Sequence, residues 1–141
     1  MAIRFFSDGI SFQPEGKRKI ANWLKQVIVG EGKKVGSLSY IFVSDEIILE
    51  INKKFLQHDY YTDIITFDNS GNDTVSGEMY ISVDTVNSNA KDYQVEFRNE
   101  LLRVMVHGAL HLCGYNDKTE DDQLKMRNAE TRYLDIFFSG N

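Results

Sequence analysis

The sequence predicts an α+β fold: a single domain, residues 1–141, in which a mixed sheet of about four strands packs with about five helices. Three observations lead there. Strand-period and helix-period stretches are interspersed without the strict alternation of a βαβ chain. No repeat, low-complexity segment or Pro/Gly/Ser-rich linker divides the 141 residues, a length ordinary for one domain with one core. The most sustained helical pattern, over 96–113, lies in the C-terminal half, with Phe97, Leu101, Val104, Met105, Leu110 and Leu112 on its stripe.

Each element has a local reason. AIRFF (2–6) reads as a short strand. Pro14 suits the first position of a helix, and Ile20, Trp23, Leu24, Val27 and Ile28 follow at helical spacing until Gly30 and Gly32 stop it. In 35–44, Leu38, Tyr40 and Phe42 alternate with Ser37, Ser39 and Ile41, the pattern of a strand with one buried face. Ser44 caps a second helix, DEIILEINKKFLQ, with Ile48, Ile51, Phe55 and Leu56 as its apolar stripe. TDIITFD (62–68) and EMYISVD (78–84) read as strands joined by the loop NSGNDTVSG. A helix is expected from about Thr85 to Tyr93. Thr119 caps a final helix whose first turn is acidic, as the helix dipole favours.

Composition narrows the function. A formal net charge of -5 argues against a protein that coats nucleic acid non-specifically, which depends on clustered Lys and Arg. No run approaches the ~18 apolar residues of a membrane span, and the N-terminus lacks the pattern of a secretion signal. Cys113 is the single cysteine and has no partner for an internal disulfide, so a reducing cytoplasm is the expected location.

The chemistry concentrates in HGALHLCGYND, residues 107–117. His107 and His111 stand four apart, so a helix sets both imidazoles on one face, one turn apart. Gly114 can end the helix in a left-handed conformation and let the chain fold back, bringing Asp117 to the same ion. Two imidazoles and one carboxylate leave a fourth coordination position open, which is a catalytic rather than a structural zinc arrangement. One zinc ion per chain is expected, with nickel, manganese and iron as alternatives because geometry seldom fixes the metal. Zinc peptidases of the H-E-x-x-H type place a glutamate after the first histidine as general base; here that position is Gly108. Cys113 points off the ligand face and reads as a buried free thiol.

The motif is similar to the hallmark of the YbeY endoribonucleases, bacterial rRNA maturation factors: H-G-x-L-H-L-x-G-Y-x-H, matched except at its last position. The resemblance extends to NKKFLQHDYYTDIITFD (52–68), to GEMYIS (77–82) and to EFRNELLRVMVHG, covering about 38–135. It implies a zinc-dependent, single-strand-specific endoribonuclease acting in late small-subunit (16S) rRNA maturation and ribosome quality control. Its partners would be an rRNA precursor and the small ribosomal subunit; the sequence fixes no oligomeric state. By carry-over the metal ligands are His107, His111 and Asp117.

Two departures accompany the match. Asp117 stands where most of the family has histidine, and a charged ligand leaves the ion a weaker acid than three neutral imidazoles would. Leu56 stands where the family usually carries an arginine, and His58, two residues on, is the nearby candidate for a catalytic cation or proton-transfer group. Arg98, Arg103, Lys53 and Lys54 are candidates for RNA contact, and Asp63 and Glu78 for orienting the ligands. Two other readings stay open. One is a zinc peptidase-like hydrolase, whose H-x-x-x-H-x-x-G-x-x-D spacing resembles that of the metzincins but which lacks a base at Gly108. The other is a ribosome-associated binding factor with a mainly structural metal.

Overall fold

The computed structural model describes residues 2–56 and 62–139. Its elements run β1 (Ala2–Ser7), α1 (Lys17–Gly30), β2 (Lys34–Val43), α2 (Asp45–Leu56), β3 (Ile64–Asp68), β4 (Thr74–Ser82), α3 (Val83–Tyr93), α4 (Phe97–Leu112) and α5 (Glu120–Phe138). The four strands form one sheet in the order β1-β2-β4-β3. β1 and β4 run parallel to β2, and β3 runs antiparallel to β4. This is the mixed α+β arrangement the sequence predicts.

The strand alternation decides which helices cover which face. Leu38, Tyr40 and Phe42 of β2, with Val75, Met79 and Ile81 of β4, turn into the main core beneath α1, α4 and α5. Val43 and Ile65 face the other way, toward Ile48 of α2. Burial of this apolar surface, worth roughly 25 cal/mol per Å², is what holds the layers together. Two polar anchors fix their register within the main core. The Tyr40 hydroxyl donates to the Met105 carbonyl at 2.8 Å, and the Trp23 indole N–H to the Tyr133 carbonyl at 2.8 Å. Each satisfies a group whose burial unpaired would be costly.

Capping follows the sequence in two places and departs from it in a third. The Ser44 hydroxyl accepts from Ile47 N at 3.3 Å, and Thr119 Oγ1 accepts from Asp122 N at 3.0 Å. Ser82 caps α3 by accepting from Thr85 N at 3.1 Å. That last cap corrects the predicted boundary: residues 83 and 84 belong to α3, whereas the strand begins earlier, at Thr74.

Two further expectations are corrected. Pro14 is not the first residue of α1: it lies buried in the connection, and the helix starts at Lys17 after Gly16, whose φ of +70° re-aims the chain. The Gly16 carbonyl then accepts the Ile20 N–H at 3.0 Å. On α2, Ile48 is buried but Phe55 and Leu56 are 59% and 41% exposed. The end of this helix overhangs the small core, and Asn52 is the buried residue on its inner face instead.

Candidate metal centre

α4 crosses the sheet close to β3 and β4, and glycine permits the approach. A Cβ on Gly108 would lie 2.8 Å from both Ile64 Cδ1 and Met79 Sδ, inside any normal contact. The side of the helix carrying Gly108 therefore presses on the sheet while His107 and His111 face outward, partly exposed. Their rings meet edge to face with centroids 4.7 Å apart.

The helix ends as the sequence requires. Gly114 has φ +110°, its N–H bonds to the His111 carbonyl, and the Tyr115 N–H bonds to the Leu110 carbonyl, each at 3.0 Å. This pair of bonds is the Schellman closure. The reversed chain carries Asp117 back over the histidines, and Gln123 Nε2 donates to the Asp117 carbonyl at 3.1 Å. The Asp117 Oδ2 atom then lies 3.2 Å from His111 Nε2 and 3.6 Å from His107 Nε2. One potential ligand atom from each of the three residues falls within 4.8 Å of the others, so together they could hold a metal ion.

The donor set fits such an ion. Ligands about 2.0–2.1 Å from a tetrahedral zinc stand about 3.3 Å apart, close to the two separations from Asp117. Both imidazoles are oriented through their other nitrogen. His111 Nδ1 is 2.9 Å from the Tyr115 carbonyl, and His107 Nδ1 is 2.6 Å from Glu130 Oε2. A carbonyl accepts only, so His111 Nδ1 carries a proton and the neutral ring offers a lone pair at Nε2. In the neutral ring Nε2 and Asp117 Oδ2 are both acceptors that a cation between them would bridge, whereas in the imidazolium the Nε2–H donates to the carboxylate.

Two clefts meet at the triad. One, of about 320 Å³, is lined by Asp63, Tyr93, Glu100, Arg103 and Arg127 with His107 and Asp117. The other, of about 380 Å³, adds Asn52, Leu56, Thr62 and Thr66 beside all three triad residues. Charge in the first is tightly coupled. Burial pushes the Asp63 carboxyl up, partly opposed by His107. Burial likewise raises Glu100, with Asp63 adding to the shift and Arg103 opposing it. For His107, burial alone would favour the neutral ring, but the hydrogen bond and charge of Glu130, with the charges of Asp63 and Asp117 adding, together outweigh it and raise the pKa.

The remaining sequence candidates are distributed around this centre. Asp63 lines both clefts. Glu78 does not approach: it is exposed and shares the strand parity of Tyr80, on the face covered by α2. Arg103 lines the first cleft, yet its guanidinium is held by Glu130 Oε1 at 2.8 Å and Thr131 Oγ1 at 3.1 Å. Arg98 is near the other end of α4, donating to the Glu15 carbonyl at 3.0 Å. Lys53 and Lys54 are exposed in the last turn of α2, one and two residues past Asn52 of the second cleft. His58 falls outside the described residues. Cys113 is a half-buried thiol apart from the triad, raised by burial to about 11.

Glu130 is the site residue that the sequence reading passes over. A signal was present: it interrupts the buried stripe of α5, Met126, Ala129, Tyr133, Leu134 and Phe137, and is itself only 5% exposed. A charge on an apolar stripe asks for a partner.

The family model described as endoribonuclease YbeY matches residues 7–137. The chain is 48% identical over 132 residues to the endoribonuclease YbeY of Porphyromonas gingivalis, covering 94% of this chain and 87% of that one. It is 46% identical over 136 residues to that of Parabacteroides distasonis, covering 96% of each. A Thermotoga maritima protein solved in solution superposes with a TM-score of 0.70 at 29% identity, covering 98% of this chain and 90% of that one.

Proposed function

The chain belongs to the family of YbeY endoribonucleases, enzymes that hydrolyse RNA, and we propose that it uses one zinc ion held by His107, His111 and Asp117. The observation that carries this is the convergence of both His Nε2 atoms on Asp117 Oδ2, at 3.2 and 3.6 Å, with each Nδ1 engaged elsewhere. When bound, a divalent ion supplies Lewis acidity toward a phosphoryl oxygen.

The chain's own residues do the rest. The scissile phosphodiester of a single-stranded RNA lies where the two clefts meet, with Arg103 and Arg127 on the first cleft's wall; Lys53 and Lys54, in the last turn of α2, are further candidates for RNA contact. Cations there offset the carboxylates of Asp63, Glu100 and Glu130, which would otherwise repel an anionic substrate. Arg98 takes no part in this arrangement, being held at Glu15. Asp63 helps orient the ligands from the mouth of β3. His58 is the proton-transfer candidate, on its sequence position between Leu56 and Thr62, both of which line the second cleft. The substrate is an rRNA precursor, cut in late 16S maturation and ribosome quality control on the small subunit, in the bacterial cytoplasm. Among the described residues no helix is long and apolar enough to cross a membrane.

A peptidase reading has no support at the position where its base would stand. Gly108 faces Ile64 and Met79 in the core.

Metal analysis of the purified protein beside Asp117→Ala tests the ligand set. Asp117 is 46% exposed in its side chain and lies in the connection between α4 and α5, so the variant folds while losing most of its zinc. Zinc content unchanged in Asp117→Ala would overturn the assignment.

A further inference from the structure

We propose that Glu130 is the positioning residue of the metal centre: its carboxylate fixes His107 with Nε2 free for the ion, and Arg103 and Thr131 hold that carboxylate in place. The inference rests on the metal reading above. It assigns a role to a residue on α5, outside the 107–117 motif.

Both oxygens of Glu130 are committed. Oε2 is 2.6 Å from His107 Nδ1, and Oε1 accepts from Arg103 Nη1 at 2.8 Å. Arg103 Nη2 in turn donates to Thr131 Oγ1 at 3.1 Å, so the guanidinium is clamped between two consecutive residues of α5. The carboxylate is nearly inaccessible to water, at 5% residue exposure. A buried ion pair is weak evidence for stability, because apolar residues of similar volume commonly replace it without loss. The second oxygen points to a different use. A carboxylate accepts only, so the short contact puts a proton on His107 Nδ1 and, in the neutral ring, leaves Nε2 as an acceptor. Carboxylate-to-histidine contacts of this kind fix tautomer and ring orientation and raise the basicity of the ligand nitrogen.

The two histidines are thus oriented by separate elements. His111 is set by the backbone of its own turn, through the Tyr115 carbonyl, whereas His107 is set by a side chain from α5. The spacing of the motif suffices for the first but not for the second. Removing Glu130 leaves His107 free to rotate or to take the other tautomer, while His111 and Asp117 stay in place.

The test measures zinc affinity of the full chain by competition with a chromophoric chelator, together with the melting temperature of the metal-free protein. Wild type is compared with Glu130→Gln, Glu130→Ala and His111→Ala. Glutamine keeps an acceptor for Nδ1–H but not the charge, so about a 10-fold loss of affinity is expected. Alanine removes the contact, and the loss approaches about 100-fold. If Glu130→Ala does not fold, Glu130→Gln decides. A glutamine variant that melts lower yet binds zinc as wild type does would show a purely structural ion pair and overturn the proposal. Wild-type protein that binds no zinc, or binds it equally well as His111→Ala, would instead sink the metal reading itself.

Discussion

Gly108→Ala probes how the metal-bearing helix is seated. The added Cβ would stand 2.8 Å from Ile64 Cδ1 and from Met79 Sδ, and 3.3 Å from Met79 Cγ. Ordinary contact begins at 3.4 Å, so both neighbours would need to withdraw by about 0.6 Å, the difference between the two distances. Met79 has little room, being fully buried on β4 between β2 and β3. Overpacking of this kind costs about 1–3 kcal/mol. Replacing glycine by alanine inside a helix returns about 1 kcal/mol. The expected net effect is a loss of about 1 kcal/mol, read by urea denaturation of the metal-free protein. Trimming the obstacle should relieve it. Ile64→Val, which costs about 0.5–1.5 kcal/mol by itself, should cost less in the Gly108→Ala background, because it removes Cδ1. A Gly108→Ala protein stabilised by about 1 kcal/mol, or strict additivity in the double variant, would refute the close approach of α4 to the sheet.

Other outcomes follow from single contacts. Thr119→Ala removes the acceptor 3.0 Å from Asp122 N and should destabilise by about 1 kcal/mol, measured by the same denaturation. Because α5 begins three residues after Asp117, zinc affinity should fall as well. Glu100 has its pKa raised chiefly by burial, with Asp63 next and Arg103 opposing. A carboxyl whose folded pKa exceeds its unfolded one binds the extra proton in the folded state. The metal-free protein should therefore lose stability as pH rises from the ordinary carboxylate range through that raised pKa. Glu100→Gln should flatten that part of the stability–pH curve, and an unchanged slope would contradict the assignment.

The parts of this molecule that are legible in its sequence are those fixed by local periodicity. The alternation of Leu38, Tyr40 and Phe42 places β2 with its face on the main core, and all three are buried. The spacing from His107 to Asp117 yields the triad because helix pitch and a left-handed glycine are properties of a short stretch. Long-range packing is what the sequence hides. Pro14 fits a helix start chemically, but Gly16 takes the turn and the helix begins at Lys17. Phe55 and Leu56 keep helical register yet overhang the second sheet face. The contact between Glu130 and His107 spans 23 residues and two helices, so spacing alone could not pair them. Only the broken apolar stripe of α5 pointed to a buried charge.

Metal binding by the triad and cleavage of RNA can be read in one assay. Purified wild-type protein and His111→Ala are analysed for zinc and incubated with a single-stranded rRNA precursor, with and without a chelator. The expected result is one zinc per wild-type chain, cleavage that stops on chelation and returns with zinc, and neither zinc nor cleavage in His111→Ala. Cleavage that survives both the chelator and the loss of His111 would contradict it.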